Sequence, residues 1–185
     1  MISRAIILAA LSAPLAAAAM AQQPAAPNKK PVAAAPKATG SQATEKYDDW
    51  FVATAYQEAG QPVCYALSYA QSSIPALAGR GKVFLTVTQR ASQRDVVAID
   101  AGFAFPANAT VNVQADQSGL DFYTHPTRPR AAFARNGHDA VTAFRAAARA
   151  IARSPGPHET TVTDTFSLKG FTAAYEAISK ACPPR

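Results

Sequence analysis

Apolar and polar residues alternate in short runs from Tyr47 to His125. Trp50, Val52, Thr54 and Tyr56 share one side of a first run. Val63, Tyr65, Leu67 and Tyr69 share one side of a second, after the turn Gly60-Gln61-Pro62. A period of two predicts strands with one face turned to a core. Residues 72–81, with Pro75, Gly79 and Gly81, read as a loop. Val83, Leu85 and Val87 alternate with Phe84, Thr86 and Thr88, a strand apolar enough to be central. Residues 95–105 form another, bent at Gly102, and residues 110–115 and 120–124 flank Asp116-Gln117-Ser118-Gly119 as a hairpin.

The period then changes. With Asn136 or Asp139 as N-cap, Val141, Phe144, Ala148 and Ile151 mark one stripe of a predicted helix that Ser154-Pro155-Gly156-Pro157 ends. Residues 159–168 return to strand chemistry. After the hinge Gly170, Phe171, Ala174, Tyr175, Ile178 and Cys182 fall on one face of a second helix. Six or seven strands and two helices without regular alternation argue against a parallel doubly wound sheet. They predict a mainly β fold: an immunoglobulin-like antiparallel β-sandwich decorated by two short α-helices, the last one C-terminal.

The first residues read differently. Arg4, the apolar stretch from Ala5 to Ala19 and the small-residue site Ala19-Met20-Ala21 predict a signal peptide over 1–21, cleaved after Ala21. That stretch is too short for a transmembrane anchor. Residues 22–46, rich in Ala, Pro and Lys, predict a disordered tether, and 47–185 a single domain. The expected location is periplasmic or secreted. The net charge of +6 sits largely outside the domain, on Arg4 and on Lys29, Lys30, Lys37 and Lys46. That excludes a nucleic-acid partner and leaves weak attraction of the tether to a membrane surface or cell wall.

Chemistry is sparse. Two cysteines in an exported chain predict one disulfide, Cys64 to Cys182, pinning the last helix to the second strand. His125, His138 and His158 lack metal-ligand spacing, so no metal and no cofactor are expected. No nucleophile motif or paired carboxylates mark a catalytic site. Arg145, Arg149 and Arg153 recur every four residues opposite the apolar stripe, a candidate anion-docking face whose plain alternative is a solvated helix surface. Tyr56, Tyr65, Tyr69 and Phe84 either fill the core or line a binding platform.

Several segments resemble one family. Asp49-Trp50 opens the first strand, Cys64-Tyr65 lies in the second, and Arg80-Gly81 precedes the strand ending near Arg90. Ala101-Gly102-Phe103-Ala104-Phe105 follows, and the tail reads Asp164-Thr165-Phe166-Ser167-Leu168-Lys169-Gly170-Phe171, closed by Cys182. Together these are similar to the invasion-associated locus B family of small exported bacterial proteins. Departures include Ala53 and Thr54 where many members carry a further Cys, and Ala132-Phe133 in place of Ala-Trp. The resemblance implies an exported, non-enzymatic binding protein whose partner is an envelope or host-surface protein or glycan. The alternative is a periplasmic hydrolase with a spatially assembled active site.

Overall fold

The computed structural model describes residues 44–58 and 60–184. The expected signal peptide and nearly all of the tether lie outside them. The strands are β1 (Thr44–Tyr47), β2 (Trp50–Glu58), β3 (Gln61–Ile74), β4 (Phe84–Arg90), β5 (Val96–Asp100), β6 (Thr110–Ala115), β7 (Ser118–His125), β8 (Arg128–Ala134), β9 (Arg149–Pro155) and β10 (Thr161–Ser167). The helices are α1 (Gly137–Ala146) and α2 (Phe171–Ala181). Thr44, Glu45 and Lys46, expected in the tether, pair with β2 instead.

Strand order closes on itself. β3, β10, β9, β6, β7, β8, β5 and β4 follow one another as antiparallel neighbours, and β4 returns to β3. The fold is therefore an eight-stranded barrel with β1 and β2 as a flap, not the immunoglobulin-like sandwich that the strand count predicts. The reason lies in β3, whose 14 residues serve two sets of partners. Its first half pairs with β2 and β4, and Ala70 to Ile74 pair with β10. Closing the ring removes the exposed edges that an open sheet would have to protect.

Inward positions alternate along each strand. Leu85 and Val87 face Val97 and Ile99, with Val111, Val113, Phe122, Ala132, Ala150, Ala152 and Phe166 around the rest of the ring, all essentially inaccessible. The many alanines suit a narrow interior filled by side chains. In β3 Val63, Cys64, Ala66 and Ser68 are buried, and beyond Val63 the alternation turns Tyr65, Leu67 and Tyr69 outward. That is the opposite face from the one their hydrophobicity predicts.

The helix expected to run as far as Ser154 ends at Ala146. Asn136 caps it, its side chain accepting from the Asp139 N–H, and Ala147 is already extended. The spacing of Ala148 and Ile151 continues the helical stripe of Val141 and Phe144, but Ala150, Ala152 and Ser154 are the buried residues. A period of two governs there, and the segment is β9. β8 likewise went unpredicted, because Arg128, Pro129 and Arg130 hide the short apolar run Ala131 to Ala134.

One barrel end is covered by the helices. Phe171 of α2 lies edge-on to Trp50 with ring centroids 5.0 Å apart and to Phe144 of α1 at 5.6 Å. The Trp50 indole N–H donates to the Ser167 carbonyl at 3.2 Å. Gly170 turns the chain from β10 into α2 at φ 86°, where a Cβ would stand 2.2 Å from the Tyr47 carbonyl oxygen. Only glycine meets both demands. Cys182 at the end of α2 is bonded to Cys64 of β3 across a separation of 118 residues, as expected, with Cα atoms 5.8 Å apart.

Candidate functional site

Because the interior is filled, the chemistry able to meet a partner lies on the outside of the barrel. Phe51, Tyr69 and Phe84 come from β2, β3 and β4 and are brought into line by strand register, Tyr69 standing opposite Phe84. The rings meet edge to face, at 6.1 Å between Phe51 and Tyr69 and 6.3 Å between Tyr69 and Phe84. Lys46 stands over Phe51 at 5.5 Å and Lys82 over Tyr69 at 5.3 Å. Tyr69 remains 42% exposed. A concavity of about 390 Å³ borders this strip, lined by Phe51, Tyr65, Leu67 and Tyr69. Rigid aromatics with cationic neighbours on a sheet surface offer apolar area at little entropic cost. Of the aromatics singled out in the sequence, Tyr65, Tyr69 and Phe84 belong to the outer face, and the side chain of Tyr56 lies outside the described residues.

The arginine strip is not one surface of a helix. Arg145 sits in the last turn of α1, pairs with Glu176 at 3.1 Å and lies over the Tyr175 ring at 4.9 Å. Arg149 and Arg153 are exposed positions of β9. One cation is thus engaged in joining α1 to α2, and two project from the barrel wall. No side-chain pairing links the three.

Two polar clusters escaped sequence reasoning. In the first, Arg80 reaches from the loop after β3 into the barrel end remote from the helices. There it forms two parallel bonds with Asp164, the side chains being 6% and 2% exposed. The Ser73 hydroxyl also donates to Asp164, at 2.6 Å, and the Arg80 Nε–H to the Ala101 carbonyl at 2.7 Å. The Phe103 ring lies 4.9 Å from the guanidinium and covers it on one side. Beside it, Gly81 donates its N–H to the Gly102 carbonyl at 3.0 Å. A Cβ on Gly102 would stand 2.5 Å from the Gly81 carbonyl oxygen. The Arg80-Gly81 and Ala101-Gly102 motifs are therefore two sides of one seal.

The second cluster lies beneath α2. Gln89 and Tyr175 both donate to Asp95 Oδ1 at 2.7 Å, and His138 Nδ1 stands 3.5 Å from Oδ2. Burial alone would raise the Asp95 pKa. The bonds from Gln89, Tyr175 and His138, with the histidine's charge, together outweigh it and hold the carboxyl below its ordinary value. Burial and then Asp95 push the Tyr175 phenol up. The His138 ring is 79% exposed; the Tyr175 and Ser179 bonds tie α2 to the loop and to β4, and the Gln89–Asp95 bonds join β4 to the loop that follows it. His125 bonds to Thr127, and His158 lies in the short turn between β9 and β10.

A sequence signal for both clusters existed. Gln89 continues the inward series of Leu85 and Val87, and Asp164 stands between Val162 and Phe166. A polar residue at an inward strand position requires a partner.

The geometry defines a class: a closed antiparallel barrel sealed at one end by an ion pair and at the other by a disulfide-anchored helix, with an aromatic strip outside. The profile of the Invasion associated locus B (IalB) protein family matches residues 50–179, and the chain belongs to that family, as its motifs suggest. The crystal structure of invasion associated protein b from Bartonella henselae is similar to it, with 17% sequence identity over 74% of this chain and 96% of that one, at a TM-score of 0.49. No curated protein matches the sequence. Among the described residues no helix is long and apolar enough to cross a membrane.

Proposed function

We propose that this chain is an exported, non-enzymatic binding protein of the bacterial envelope, engaging an envelope or host-surface partner through the outside of its barrel. The observation that carries this reading is the aromatic strip of Phe51, Tyr69 and Phe84, displayed outward while alanines and valines fill the interior. Aromatic side chains of this size normally belong inside, and an outward line of them, Tyr69 exposed and Phe51 and Phe84 half-buried, with flanking lysines suits a docking surface. Export is supported by the apolar stretch before Ala19-Met20-Ala21 and by the disulfide, a bond that persists in oxidising compartments. The lysines of residues 22–46 add a weak attraction to anionic surfaces.

The experiment is fractionation of the native host, with sequencing of the mature N-terminus and retention of the protein on its own envelope fraction. A protein starting at Gln22 and retained by the envelope is expected, with retention lost in a Tyr69→Ser, Phe84→Ser variant. An intact Met1 in the cytoplasm contradicts the reading.

A further inference from the structure

We propose a second site on the barrel, for an acidic oligosaccharide, in the groove that crosses the outer faces of β4, β5, β8 and β7. The groove encloses about 450 Å³, within the range of small-ligand sites. Register builds its floor as one row: Tyr123 stands opposite Phe133, Phe133 opposite Ala98, and Ala98 opposite Thr86. The two rings lie 5.9 Å apart with planes only 38° from parallel, so they form a tilted shelf. Tyr123 is 38% exposed. Ala98 leaves a trough beside the shelf. A pyranose, with one apolar C–H face and hydroxyls at its edge, matches a shelf of this kind next to a polar wall.

That wall is present. Thr88, His125, Thr127 and Arg128 line the same groove. His125 Nδ1 lies 2.8 Å from the Thr127 hydroxyl and 3.3 Å from the Thr127 N–H, which leaves Nε2 for a ligand. At the far end Arg90 is neutralised by Glu58 at 2.8 Å. Arg128 makes no ion pair among the described residues, and Arg135 stands over the outer ring of the shelf, 5.7 Å from the Tyr123 centroid. The positive charge left over near the aromatic end selects a carboxylate or sulfate on the sugar. All four strands are paired along both edges. A peptide therefore cannot add here as a further strand, and recognition must run through side chains. A second hollow of about 270 Å³ shares His125, which extends the path to more than one sugar unit.

The test is calorimetric titration of the full mature chain with three probes: a galacturonic acid trimer, a sulfated galactose trimer and the neutral galactose trimer. Binding of at least one acidic trimer is expected, about tenfold or more tighter than the neutral one. Tyr123→Ala and Arg128→Gln should each weaken it by about tenfold with unchanged melting, and Tyr123→Phe should retain it. Ala98→Gln, which fills the trough and leaves both key residues in place, should abolish it. Equal affinity for acidic and neutral trimers, no binding of any trimer, or undiminished binding by Tyr123→Ala and Ala98→Gln overturns the proposal. The envelope retention that depends on Tyr69 and Phe84 is unaffected by any of these results, so the two readings stand or fall separately.

Discussion

Arg80 and Asp164, 84 residues apart in sequence, meet in the barrel through two parallel hydrogen bonds, Nη1 to Oδ1 at 2.9 Å and Nη2 to Oδ2 at 2.8 Å. The pair joins the loop after β3 to β10, the strand with which the second half of β3 pairs. Ser73 and the Ala101 carbonyl add further bonds, so each charge is held by its partner and by at least one more group, the condition under which a buried pair is tolerated.

Removing one partner should therefore be severe. Asp164→Asn leaves the guanidinium buried without its counter-charge and should cost about 3–5 kcal/mol, read as a lower midpoint in urea unfolding. Replacing both, with Arg80→Met and Asp164→Leu, should recover most of that loss. A single variant costing less than about 1 kcal/mol would show that water reaches the pair.

The disulfide should matter to the whole domain. Cys64 and Cys182 enclose most of it, and loop entropy assigns the bond roughly 4–5 kcal/mol. Cys182→Ser should melt well below the wild type, and the oxidised protein should show no reactive thiol in denaturant. An unchanged melting point would mean that Phe171, Ala174 and Ile178 hold α2 unaided.

Stability should fall at both extremes of pH. The Asp95 carboxyl lies below its ordinary 3.8 in the folded chain, so its contribution is complete above that value and disappears as pH drops through the folded pKa. The Tyr175 phenol lies above its ordinary 10.0, so its contribution is complete below that value and disappears as pH rises through the folded pKa. Urea melts of wild type and Asp95→Asn should differ at pH 7 and converge in acid. Tyr175→Phe should lack part of the alkaline loss. A wild-type-to-Asp95→Asn difference that stays constant into acid would remove Asp95 from the account.

Much of this fold was legible, and the failures share a physical cause. Leu85 and Val87, the hairpin at Asp116, and the tail from Gly170 to Cys182 obey one period each, and the structure follows them. Where two periods coincide, packing decided. Ala148 and Ile151 fit a helix, but Ala150 and Ala152 fit a narrow barrel interior better. The same narrowness reversed β3, since Ala66 and Ser68 fit inside where Tyr65 and Tyr69 do not. The sequence left those tyrosines open between core and platform, and only the register of β2, β3 and β4 brings Tyr69 into line with Phe51 and Phe84. Closure itself depends on one long strand sharing partners, which no local pattern encodes.

The central claim is that partners meet the outside of a closed barrel. Oxidative footprinting of the native protein, alone and bound to its envelope fraction, tests it directly. The prediction is that Tyr69 loses reactivity on binding while buried Trp50 stays unreactive in both states. Tyr69 reacting equally in the bound protein, or Trp50 becoming reactive as the barrel opens, would contradict it.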